Sequence, residues 1–253
     1  MDELNLVYAF IAALVAGFTN AIAGGGTLIT FPVLVALGIP PIAANITNTI
    51  ALCPGYFGGV YAQRKDLYSQ KKTLIKILPV SIIGGIAGGL LLLQTSENSF
   101  KTIIPYLILL ATLLLAVQLQ LKKIIKQRSE KSEHKSKNNA TLFILIFLAA
   151  IYGGYFGAGL GVILMAVLGL VLDDSLTKLN ALKQAISLSV NVSAAIYFAF
   201  SDQVYWLFVA VMVIGSISGG MIGGNVAGSV KSEILRWTIV TIGLAVAVIY
   251  FLK

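Results

Sequence analysis

Polar side chains recur at helical spacing inside otherwise apolar stretches of this chain. Asn45, Asn48 and Thr49 stand at i, i+3 and i+4, on one face of a helix. A second set, Asn180, Lys183, Gln184, Ser187 and Asn191, keeps the same phase along another segment. Amides, hydroxyls and an ammonium can hold an anion; none of them is a nucleophile paired with a base. No Asp, Glu or His stands centrally in a hydrophobic stretch, so a Ser–His pair, an aspartate dyad and a zinc motif are all missing from the sequence. That argues against an intramembrane hydrolase. The chemistry expected is binding, with no catalytic residue, no metal and no cofactor.

Lys183 is the most informative of these groups. A lysine at the bilayer centre costs about 2.5–3.5 kcal/mol on insertion scales, and no carboxylate lies on its helix face. An anionic substrate would supply the partner. The other reading places Lys183 near the helix start, snorkelling to the interface beside Lys178 and Asp174. For a single asparagine, a hydrogen bond between helices is the simpler role. Two stripes related by repetition suggest instead that both faces converge on one cavity.

Glycines mark a second feature. Gly24-Gly25-Gly26 precedes a short apolar segment, 27–37, and Gly157-Ala158-Gly159-Leu160-Gly161 precedes another, 162–172. Neither segment reaches the roughly 20 residues that cross a bilayer as a helix. Non-helical backbone survives at membrane depth only beside a polar cavity or within protein. A helix that starts at such a break aims free amides and its positive dipole end at it, a ready site for an oxyanion. The candidate substrate-binding set is therefore Asn20, Gly24, Gly25, Gly26, Thr27, Asn45, Asn48, Thr49, Gly159, Gly161, Asn180, Lys183, Gln184 and Ser187.

The elements that position these residues repeat. At an offset of 135 residues, Gly84-Gly85 and Gly88-Gly89 recur as Gly219-Gly220 and Gly223-Gly224, Ser81 as Ser216, Asn45 as Asn180, and Gly24 and Gly26 as Gly159 and Gly161. Duplicated apolar halves with matching breaks are the signature of transporters whose site lies where the halves meet. The Gly-Gly pairs are expected to let helices pack closely. Of 253 residues, 58% are hydrophobic and 11% charged, against about 25% charged in a soluble domain; mean hydropathy is +0.92. The medium is the lipid bilayer. Apolar segments lie at about 4–22, 27–37, 42–62, 73–94, 101–121, 140–157, 162–172, 178–200, 204–226 and 233–252. The fold expected is all-α and polytopic, with two inverted repeats, 1–121 and 140–253, joined by a basic linker, 122–139.

Charge placement sets the orientation. Twelve of the 18 basic residues fall in 64–76 and in 122–139, so these loops are expected in the cytoplasm and both termini outside, in a prokaryotic inner membrane. The net charge of +8 reflects this placement and is not a nucleic-acid footprint. Cys53 is the single cysteine and His134, in the linker, the single histidine. Residues 1–3 lack the basic start of a signal peptide, so 4–22 is read as a retained membrane segment.

The stretch 16–52, AGFTNAIAGGGTLITFPVLVALGIPPIAANITNTIAL, followed by a basic loop, resembles the first repeat of the TauE/SafE sulfite-exporter family. Asn20, Gly24, Gly25, Gly26, Pro32 and Asn45 stand at the matching places. The second half departs: Gly159-Leu160-Gly161 replaces the glycine triplet, and Ala166-Val167 the Phe31-Pro32 step. The resemblance implies movement of small sulfur-containing anions such as sulfite and sulfonates. A secondary transporter working by alternating access is the leading expectation; an anion channel, or a transporter of a non-sulfur solute, shares the same features. The oligomeric state has no signature in the sequence.

Overall fold

A computed structural model describes residues 3–131, 139–172, 174–226 and 232–252. Among them there are eleven helices and no strand: α1 (Glu3–Ile22), α2 (Thr27–Ala36), α3 (Pro41–Ala62), α4 (Arg64–Ser69), α5 (Lys71–Gln94), α6 (Glu97–Lys131), α7 (Asn139–Tyr155), α8 (Leu160–Val171), α9 (Leu176–Phe198), α10 (Trp206–Val226) and α11 (Ser232–Leu252). The protein is an all-α polytopic membrane protein. Five of these helices are long and apolar enough to cross a bilayer. Their outer faces expose large apolar side chains, among them Ile11, Ile83, Leu113, Ile214 and Val248, a surface that only lipid or another apolar body satisfies.

The 135-residue offset reappears in the helix starts. Pro41, Lys71 and Glu97 open α3, α5 and α6; Leu176, Trp206 and Ser232 open α9, α10 and α11. Packing crosses between the halves: α1 lies along α10, and α7 lies along α5. These are equivalent pairs under the offset. Glycines permit both approaches. A methyl at Gly219 would overlap the Leu14 carbonyl, and one at Gly88 the Ile151 carbonyl. Among the repeated Gly-Gly pairs, Gly224 is the exception, since nothing lies within 4 Å of a methyl there.

Helices α3 and α9 are long enough to span but too polar to rank with the five apolar ones. They occupy the centre of the bundle, packed on each other and on α10 and α5 respectively. From Pro41 to Thr49 every residue of α3 is buried. This is the expected place for polar helices, because protein supplies the partners that lipid cannot.

Two features depart from the sequence expectation. The basic loop after α3 holds a short helix, α4, tied to α9 where Gln70 Nε2 donates to the Lys178 carbonyl at 2.8 Å. The expected linker starts as helix: α6 runs unbroken through Lys131. Its 35 residues extend over about 50 Å, well beyond the roughly 30 Å hydrocarbon core. Of the rest of the linker, residues 132–138, including His134, lie outside the described residues, as do Asp173 and the N-terminal Met1-Asp2 pair.

Candidate functional site

Both glycine breaks exist, and both need left-handed backbone. Gly24 and Gly25 have φ of 86° and 87°, and Gly157 and Gly159 have φ of 76° and 77°. An L side chain is strained at such values. The second break sits slightly earlier than the offset implies: Gly157 and Gly159 turn the chain, while Gly161 is already helical. Side chains brace each break. Asn20 Oδ1 accepts from the Gly26 amide at 2.7 Å, and Tyr152 donates its hydroxyl to the Ala158 carbonyl at 2.6 Å. Asn20 thus ties the end of α1 to the residue that precedes α2. The amides of Gly25 and Thr27, and those of Ala158, Gly159 and Gly161, find no protein acceptor among the described residues.

The two breaks meet at a cavity of about 650 Å³. Of the residues expected in the site, Asn20, Gly24, Gly25, Gly26, Thr27, Gly159, Gly161, Asn180, Lys183, Gln184 and Ser187 line it. Its lining reaches the end of the molecule where α3 and α10 finish, with Ala62, Gln63 and Gly224. The basic segment 64–76 leaves from that same end. Lys183 passes beside Gly161, and Gln184 lies over Gly59 of α3. Lys178, by contrast, pairs with Asp174 at 3.5 Å. The two lysines therefore occupy different environments: Lys178 at the helix start in an ion pair, Lys183 in the cavity wall.

Asn45, Asn48 and Thr49 do not line this cavity. Asn45 Nδ2 donates to the Tyr155 carbonyl at 2.8 Å. Asn48 Oδ1 accepts from the Thr30 hydroxyl, and Thr49 Oγ1 donates to the Asn45 carbonyl at 2.9 Å. The reason is direction. Gly59, near the end of α3, meets Gln184, near the start of α9, whereas the Thr47 hydroxyl, near the start of α3, accepts from the Tyr205 amide beyond the end of α9. The helices run antiparallel, so equivalent stripes lie at opposite ends of the pair. In this conformation they do not converge on this cavity.

A second cavity, of about 580 Å³, opens near the start of α3. Pro40, Ile42, Ala43, Glu97, Asp202 and Tyr205 are among its walls, and it shares no lining residue with the first. Between the two lies the buried part of α3. Phe31 of α2 meets Phe156 of the second break edge to face there, with ring centroids 5.4 Å apart.

Several lining residues escaped the sequence reading. Ser216 of α10 reaches the Ala51 carbonyl at 3.3 Å and also lines the cavity. Gln118 and Lys122 of α6 line it too. The available signal was helical phase: Ala111, Leu115, Gln118 and Lys122 all face the cavity at the three- and four-residue steps of one helix face. Among the described residues, no carboxylate lines the cavity. Open amides, carboxamides and lysines without acids suit a negatively charged solute.

Comparison with known proteins agrees with this architecture. The model of the family described as sulfite exporter TauE/SafE matches residues 9–250. A probable membrane transporter protein of a Sinorhizobium species is 27% identical over 248 residues, covering 96% of this chain and 91% of the relative. A probable membrane transporter protein of Escherichia coli (strain K12) is 32% identical over 110 residues, 43% of this chain and 40% of the relative. One from Haemophilus influenzae is 36% identical over 110 residues, 41% of each chain. These last two matches thus span about two fifths of the relatives' length. No solved structure matches the chain. A match over nearly the whole length, on a helical bundle with two broken segments beside a cavity, leads to one conclusion: the chain belongs to the sulfite exporter TauE/SafE family.

Proposed function

We propose that the chain carries a small anion, a sulfur oxyanion or an organosulfonate, by alternating access between two inverted repeats, residues 1–121 and 140–253. The observation that carries this reading is the cavity wall: Lys183 and the break glycines with their open amides line it, and among the described residues no carboxylate does. The family's description as sulfite exporters favours sulfur among the possible anions. The crossed pairing of α1 with α10 and α7 with α5 supports the repeat symmetry. Two cavities without a common wall residue favour a transporter over a channel, since an open channel needs a continuous path. The basic end would face the cytoplasm under the positive-inside rule, leaving this conformation open inward and the termini outside, in the inner membrane. The test is counterflow in proteoliposomes with sulfite, thiosulfate, sulfate and a short sulfonate, on wild type and Lys183→Ala. Saturable exchange of one of these anions, lost in the folded variant, is the expected result. If wild-type protein exchanges none of them, the reading fails.

A further inference from the structure

Two lysines from different halves share the cavity. Lys122 comes from α6 and Lys183 from α9. Lys122 belongs to the cavity face by helical phase, following Ala111, Leu115 and Gln118, whereas Lys123 and Lys126 are exposed and do not line it. Neither Lys122 nor Lys183 has a hydrogen-bond or ion-pair partner among the described residues. The nearby cation Arg236 is already engaged, donating to the Ala116 carbonyl at 2.6 Å and lying 3.9 Å from Glu233. Two unpaired ammonium groups in one partly dehydrated space repel each other, and a singly charged guest leaves one of them uncompensated. A doubly charged guest neutralises both.

We propose that the cavity selects doubly charged anions over singly charged ones, and that Lys122 supplies the second charge. This rests on the anion reading above and narrows it to a charge class. The cavity, at about 650 Å³, falls in the range of pockets for small organic molecules, so the two charges need not sit on one atom group.

The test is equilibrium binding by titration calorimetry on the detergent-solubilised full chain, with two probe pairs: sulfate against methanesulfonate, and ethane-1,2-disulfonate against ethanesulfonate. The members of each pair share an SO3 group and differ in charge. Wild type should bind the dianion of at least one pair about ten-fold or more tightly than its partner. Lys122→Gln should shrink that ratio to about three-fold or less, and Lys122→Arg should keep it. A wild-type ratio near one in both pairs overturns the proposal without any variant having to fold. So does a ratio that survives Lys122→Gln. In either case the bound anions leave the underlying anion reading standing. If wild type binds no member of either pair, both readings fall together.

Discussion

Asn20 separates a positioning role from a ligand role. Its Oδ1 takes the Gly26 amide, so it holds the first break while standing in the cavity wall. Asn20→Ala removes the acceptor and should cost about 1 kcal/mol of stability, as a lost hydrogen bond does. Asn20→Asp keeps an acceptor but adds a negative charge beside the break. Folding should be retained and anion affinity lost, read as thermal stability alongside a binding titration. Equal affinity in Asn20→Asp and wild type would remove the anion from this end of the cavity. At this scale the sequence told much about which residues were polar within apolar helices, and less about which way they faced. Lys183 had two readings because depth along a helix does not reveal what lies opposite; in the fold it stands in the cavity wall beside Gly161. Lys122 was hidden for another reason. It opens a run of basic residues, and the run disguised its phase with Gln118 and Leu115.

The helices themselves were largely legible. Apolar length fixed the spans, and glycine clusters fixed the breaks, because few other sequences tolerate four left-handed residues at such depth. What composition could not supply was how far α6 continues once its residues turn charged, nor that the basic loop would wind into α4. The Gly-Gly pairs show the same limit in finer form. A stripe of small residues reads as one packing face, yet its members differ. Gly219 lies against the Leu14 backbone of α1, and Gly224 faces open space in the cavity lining. Gly219→Ala should therefore push α10 from α1, lowering the melting temperature and the fraction of monodisperse protein after detergent extraction. Gly224→Ala should leave both unchanged. Similar losses in the two variants would mean that helix propensity or insertion, not close contact, explains the recurrence of small side chains in the two halves.

For the molecule as a whole, the antiparallel α3–α9 pair bears on the proposed alternating access. The stripe on α9 lines the cavity at the basic end, while the stripe on α3 is buried in the layer that separates this cavity from the one beside Glu97 and Asp202. If equivalent halves exchange conformations, as inverted repeats permit, the α3 stripe is the one uncovered when access moves to the other end. Breaking Asn45 from the Tyr155 carbonyl, Asn48 from Thr30 and Phe31 from Phe156 would be the opening step. Single cysteines can follow this directly. With buried Cys53 first replaced by Ala, Ser187→Cys should react with a membrane-impermeant maleimide from the basic side and Asn48→Cys from neither side in this state. Under an imposed anion gradient that favours the opposite state, Asn48→Cys should become reactive from the far side as Ser187→Cys becomes protected. Reactivity of both positions from one side, unchanged by substrate, would instead describe a fixed pore and end the alternating-access reading, because a static path needs no exchange between the two stripes.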